Sequence, residues 1–282
     1  MAQITDPCIV DDMDFATYHG DPCPVPALSN GIIKPLLQHS PYHAWLQHPR
    51  LNPNCVQEES TSFDLGTAAH ALLLEGADRC RVIEADDWRT KAAREARDLA
   101  RADGFTPMLR AQYEAAKVMA QRAREFIERT EFAGIFERGR AEQSLFWQDL
   151  GGVWCKARAD FLTDDRRTIL DLKTTGLPPR KWQRAMLEHG YHTQDCFYRR
   201  GMSVLGHAGC RFVFLVQESQ PPFSCWLVEA AESLRELADM QIARALRMWR
   251  ECLERNDWPA YPTSVQPAMA PNWALQEEME EA

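Results

Sequence analysis

Positions 153–161 alternate between apolar or small and polar or charged side chains, with Val153, Cys155, Ala157, Ala159 and Phe161 on one parity and Lys156, Arg158 and Asp160 on the other. Positions 168–175 alternate again, setting Leu170 and Leu172 against Ile169, Asp171 and Lys173. A period of two predicts strands, and the polar run at 164–167 predicts the turn of a hairpin. With a four-residue turn, Asp160 stands directly opposite Asp171.

The pattern changes elsewhere. Residues 62–76 predict a helix closed by Gly76 with Ala69, Leu72 and Leu73 as its buried stripe. Residues 88–130 predict two helices interrupted near 104–107, inserted before the sheet. A first strand is expected over 142–147, turning at 149–152 into the hairpin. A helix over 179–201 follows, then a hairpin of 210–217 and 224–230 around 219–222. A closing helix over 232–256 turns Leu234, Leu237, Ile242, Leu246 and Trp249 inward. No repeat of 20 to 50 residues is visible. Helices before, between and after strands predict an α/β fold, a mixed central sheet flanked by helices with a helical insertion.

The hairpin carries the chemistry. Opposed side chains on an antiparallel pair sit roughly 4.5 to 5.5 Å apart at Cβ, and like charges there repel. A divalent cation held by Asp160 and Asp171 resolves that repulsion, because carboxylate oxygens suit Mg²⁺. Lys173, two residues beyond Asp171 on the same face, points at the same water or phosphate. For an isolated Asp-x-Lys tripeptide a solvated hairpin face is the commoner outcome. Here the apolar alternate positions make it a core sheet with charges gathered on its other face, which is a candidate site for metal-assisted hydrolysis.

Asp160 followed by Asp171-Leu172-Lys173 resembles the signature of the PD-(D/E)XK nuclease superfamily, with Ala159 where proline is common and aspartate in the middle position. Gly66 and His70, four apart on one helix face, resemble the Gly-x-x-x-His helix of the RecB-like branch. Gln194 and Tyr198 match its Gln-x-x-x-Tyr motif. Tyr191 and the segments at 27–37 and 40–45 extend the likeness toward phage and prophage RecE (exodeoxyribonuclease VIII) type exonucleases. The resemblance covers residues 18–249, and the ordered set of motifs carries it.

That resemblance implies a restriction-endonuclease-like core in a single domain over 1–258: an entry segment at 1–60, the insertion at 88–130, and sheet and core helices at 140–256. It implies that His70, Asp160, Asp171 and the backbone carbonyl of Leu172 hold Mg²⁺, or Mn²⁺ in its place, while Lys173 orients the attacking water. Gln194 and Tyr198, with Tyr191, would position the DNA. The implied reaction is digestion of linear double-stranded DNA from free ends, 5′ to 3′, leaving 3′ single strands for a recombinase or annealing protein. A ring-shaped homo-oligomer is implied by the same likeness. The alternatives are a Cas4-like or repair endonuclease of the same fold, and an inactive DNA-binding or scaffold protein. Related groups hold an iron–sulfur cluster on closely spaced cysteines; the nine cysteines here are scattered from Cys8 to Cys252, so no cluster is expected.

Composition adjusts this picture. With 282 residues, 45% hydrophobic and 26% charged, the chain has the makeup of one large globular domain. No apolar run nears the roughly 18 residues of a membrane span, and no signal pattern opens the chain, so a cytoplasmic place in a bacterial or phage-infected cell is expected. The net charge of −9 opposes DNA binding, but four glutamates lie in the last seven residues. Residues 259–282 read as a Pro-rich acidic tail, mobile in character. Lys156, Arg158 and Lys181 flank the proposed site and are the phosphate-contact candidates. Arginines between Arg89 and Arg129 read as a solvated helix face ahead of a DNA contact. Glu142 is an additional site carboxylate or a strand-end residue.

Overall fold

The computed structural model describes residues 3–55, 65–75, 80–103, 105–149, 151–265, 267–271, 276 and 279. Residues 62–64 and Gly76 of the predicted histidine helix, and most of the tail beyond 271, lie outside the described residues. In chain order the elements are β1 (Cys8–Val10), α1 (Phe15–His19), α2 (Asn30–Gln38), α3 (Pro41–Gln47) and α4 (Leu65–His70, continued as a π turn over Ala71–Glu75). Next come β2 (Cys80–Ile83), α5 (Lys91–Ala102), β3 (Thr106–Leu109), α6 (Arg110–Ile127), β4 (Gly139–Gln148), β5 (Trp154–Thr163) and β6 (Thr168–Thr175). The chain closes with α7 (Trp182–His189), α8 (Tyr191–Val204), β7 (Arg211–Glu218), β8 (Cys225–Val228) and α9 (Glu232–Arg255).

Six strands form one mixed sheet in the order β1-β4-β5-β6-β7-β8. All neighbours are antiparallel except β6 and β7, which run parallel because α7 and α8 carry the chain across between them. One face packs on α2, α7, α8 and α9 through Ile33, Leu36, Met186, Phe197, Ile242 and Trp249. The other packs on α4 and α6 through Ala68, Leu73, Ala116 and Ala123. The mixed α/β architecture predicted from the pattern is therefore the one observed.

The hairpin register also holds. Phe161 pairs with Leu170 and Leu162 with Ile169, so one step further along the strands Asp160 comes opposite Asp171. At that step the ladder stops, and β5 and β6 part. Strict alternation fails at the same place. Ala157 and Ala159 belong to the core under α8, yet Phe161, of the same parity, belongs to the core under α6, while Leu162 and Ile169 return to the α8 side. The neighbouring position on β4 is Glu142, whose φ of 56° lies in the left-handed region that side chains of its kind rarely enter. A local twist thus turns both strands over at Glu142 and Asp160. Strain of this sort persists only where the surroundings enforce it, and it gathers at functional sites.

Several elements depart from the prediction. β1 joins β4 antiparallel, and within the expected insertion β3 separates α5 from α6 and pairs in parallel with β2, which precedes it, as a small second sheet. The single helix expected over 179–201 is a short 3₁₀ turn, α7 and α8, broken where Gly190 takes φ 73°. Glycine closes α7 there because it enters the left-handed region without a Cβ penalty.

Candidate active site

α4 brings His70 to the point where β4 and β5 turn over. His70 Nε2 lies 3.2 Å from Asp160 Oδ2 and 3.7 Å from Glu142 Oε1. His70, Glu142 and Asp160 each offer one ligand atom, all within 4.8 Å of one another. The stripe Ala69, Leu72 and Leu73 is buried as predicted and anchors the helix from which His70 projects.

Parting of β5 from β6 leaves backbone groups to be satisfied. Asp160 Oδ2 accepts the Leu172 amide at 3.0 Å, so one carboxylate holds the strand edge and faces the imidazole. Asp171 is fully buried. Its carboxylate pairs with the Lys173 ammonium and accepts a hydrogen bond from Gln194 Nε2 at 2.6 Å. Asp171 stands outside the trio of His70, Glu142 and Asp160.

The electrostatics follow from three carboxylates in one buried place. Desolvation, then the Asp160 charge, pushes the Asp171 carboxyl far above the usual range. Desolvation and Asp160 likewise raise Glu142, against His70 and Arg158. Burial also presses on Asp160, but the charge and hydrogen bond of His70, with Lys173, outweigh it and hold Asp160 low. Burial opposes the Lys173 charge, yet Asp171 and Asp160 together keep it firmly protonated. The site is short of positive charge.

A cleft of about 470 Å³ opens beside these groups, lined by Tyr18, His19, the start of α2, Glu142, Lys156, Arg158, Asp160, Gln194 and Tyr198. The predicted DNA contacts divide. Lys156 is only 5% exposed; its ammonium donates to the Tyr18 carbonyl at 2.7 Å and lies 4.0 Å from Asp21. That is a core role, and it corrects the reading of Lys156 as a phosphate contact: period two set it on a polar face, but α1 covers that face. Gln194 and Tyr198 point at protein. Gln194 holds Asp171, and the buried Tyr198 hydroxyl donates to the Arg158 carbonyl at 3.1 Å. Tyr191 stacks on Trp182 at 5.4 Å, with Lys173 Nζ 5.3 Å from its ring. Lys181 is exposed, on the turn before α7.

Sequence reasoning overlooked Tyr18, whose ring centroid lies 4.9 Å from Lys156 Nζ and 5.5 Å from Arg158 Cζ, and the buried Asp21–His48 pair beneath it. No periodicity marks either, since both stand in a stretch of short elements. The burial of Tyr18 and Asp21 follows from packing against β4 and β5.

A family model described as a PDDEXK-like domain of unknown function (DUF3799) matches residues 32–267. The chain belongs to this family. Among solved structures it is similar to a Eubacterium rectale protein carried as a candidate exonuclease, with 15% identity, 85% of this chain and 91% of the other covered, and a TM-score of 0.50. It also shares 12% identity with LHK-Exo, crystallised with dAMP, over 67% of this chain and 91% of that one at a TM-score of 0.28, a likeness of parts only. No curated protein matches the sequence. The mixed sheet flanked by helices is the architecture of a PDDEXK-like domain. No helix among the described residues is long and apolar enough to cross a membrane.

Proposed function

We propose that this PDDEXK-like chain is a divalent-metal-dependent exodeoxyribonuclease acting on linear double-stranded DNA. The observation that carries the reading is the convergence of His70, Glu142 and Asp160 within 4.8 Å, beside the buried Asp171–Lys173 pair. An imidazole and two carboxylates, in a place where a further carboxylate is already forced toward its protonated form, fit a hard divalent cation such as Mg²⁺, or Mn²⁺ with its greater taste for nitrogen. When bound, that ion would lower the pKa of a water and stabilise charge on the phosphoryl oxygens.

The chain's own groups prepare the place. Lys173 keeps its proton and sets a positive charge next to Asp171. Gln194 fixes the orientation of that carboxylate. Asp160 spans from the Leu172 amide to His70, tying β6 to α4. The 5′ to 3′ direction, 3′ single-stranded products for a recombinase or annealing partner, and assembly as a ring belong to the same proposal and rest on the motif likeness to RecE-type enzymes.

Digestion of end-labelled linear duplex with and without Mg²⁺ tests it. The expected result is release of the 5′ label only with the metal, and none from covalently closed circles. Cutting of closed circles would replace the exonuclease reading with an endonuclease one. Inertness toward both forms with Mg²⁺ and with Mn²⁺ would leave a DNA-binding or scaffold protein.

A further inference from the structure

Among the basic side chains at or beside the cleft, His48 faces Asp21 and His70 faces Asp160, and three more are committed. The Lys156 ammonium is bound to the Tyr18 carbonyl and lies near Asp21. Lys173 is paired with Asp171. His19 is held neutral, because burial, then the charges of Lys156 and Arg158, lower its pKa to about 4. Arg158 differs. Only its Nε meets an acceptor among the described residues, Glu142 Oε2 at 2.5 Å, and its Nη1 is buried with no hydrogen-bond partner.

The arginine is also held in place from two sides. Its Cζ lies 5.5 Å from the Tyr18 ring centroid, a cation–π contact, and its main-chain carbonyl takes the Tyr198 hydroxyl. The side chain remains 16% exposed in the wall of the cleft, two residues from Asp160. A guanidinium donor left without a partner at the wall of a cleft is completed by an acceptor oxygen, and a phosphate oxygen is a strong, charge-assisted one.

We infer that Arg158 is the phosphate clamp of this site, its unpaired guanidinium edge gripping a DNA backbone phosphate while Nε steadies Glu142. The inference rests on the nuclease reading for its ligand. It assigns to one residue the grip that three basic candidates shared on sequence grounds. A contact of this kind is independent of base sequence.

The test is binding of fluorescein-labelled linear duplex in EDTA, followed by anisotropy over a range of salt. Arg158→Gln is expected to weaken binding about tenfold, equally on two unrelated sequences, and to reduce the slope of log K against log salt by about 1. A purely structural pairing with Glu142 is separated by the Glu142→Gln background, where the clamp predicts the same loss from adding Arg158→Gln and the pairing predicts none. Arg158→Lys keeps the charge beside Glu142 if the Gln variant fails to fold, and is expected to show a smaller loss with the slope unchanged. Wild-type affinity and slope in Arg158→Gln, wild-type affinity in Arg158→Lys, or disappearance of the loss in the Glu142→Gln background would overturn the clamp. Wild-type protein that cleaves DNA while Arg158→Gln keeps its slope sinks the clamp alone. Protein that binds through Arg158 yet never cleaves sinks the nuclease reading and leaves the clamp standing.

Discussion

Two buried aspartates in this fold lean on lysines, and burial leaves them in opposite states. Asp21 lies 4.0 Å from Lys156, accepts the Ala27 amide at 2.9 Å, and has His48 and Arg50 within 3.8 Å. Desolvation presses its pKa upward, but the His48 hydrogen bond and the Lys156 charge more than offset this, and Asp21 stays low. Asp171 also has a lysine, but it has Asp160 beside it, and its pKa is pushed up to about 7 by desolvation and then by that charge. The lysines mirror the difference: burial carries Lys156 down, while Asp171 and Asp160 hold Lys173 up. Around Asp21 cations outnumber carboxylates, and the network is complete. Around Asp171 carboxylates are in surplus, and the divalent ion proposed above would fill that deficit. A completed ion network holds structure; an unbalanced one is available for chemistry.

The comparison can be broken most sharply at Asp160. Asp160→Asn is expected to reduce Mg²⁺-dependent digestion of linear duplex by roughly a hundred- to a thousandfold, the size of effect seen when one stabilising group is taken from a reacting centre. A rate equal to wild type would place the chemistry elsewhere. Lys156→Met, on the completed side, is expected to cost about 1 kcal/mol of stability, read from urea midpoints at pH 7, through the lost hydrogen bond to the Tyr18 carbonyl, since His48, Arg50 and the Ala27 amide still hold Asp21. Its DNA-binding salt slope should stay that of the wild type.

The two aspartates should also respond to pH with opposite sign, measured without metal. Asp21 has a lowered folded pKa, so its contribution is present above about pH 4, the unfolded carboxylate range, and is lost as pH falls through the folded value. Asp21→Asn should therefore be destabilised at neutral pH, with the gap closing in acid. Asp171 has a raised folded pKa. Its carboxyl contributes fully below about pH 4 and loses that contribution as pH rises through about 7. Asp171→Asn should gain on wild type across that window, by roughly 1 to 3 kcal/mol. Parallel rather than opposed slopes would show that the two environments do not differ as described.

Smaller effects sharpen the same contrast. Mg²⁺ at ten times its dissociation constant should stabilise the wild type by about 1.4 kcal/mol, seen as a rise in melting temperature that Asp160→Asn lacks. Tyr198→Phe removes one hydrogen bond to the Arg158 carbonyl and should cost about 1 kcal/mol in denaturant unfolding. An effect near zero would mean that the strand carrying Arg158 and Asp160 does not depend on α8 for its position.

Much of this is legible in the sequence. The β5–β6 hairpin and its register are, because alternation and turn length are local quantities, and together they set Asp160 against Asp171. The stripe of the His70 helix is legible for the same reason, as are Ile242, Leu246 and Trp249 of α9, whereas Leu234 and Leu237 near its start are only partly buried. The parallel pairing of β2 with β3 is not, since four-residue strands with Pro107 in one of them carry almost no periodic signal. Nor is the break at Gly190: the apolar pattern runs through it, and only the glycine marks the place.

The sequence by itself determined which residue types meet on the hairpin, their order along the chain and the family likeness of the motifs, all of them read from local spacing. Tertiary structure decided the rest. It brought Glu142 to His70 and Asp160, set Asp171 against Lys173 and Gln194, buried Lys156 under Tyr18, and left the Arg158 Nη1 without a partner among the described residues. Those outcomes depend on how β4, α1, α4 and α8 pack around the point where two strands part. They turn on distances between residues far apart in the chain, and no local period encodes them.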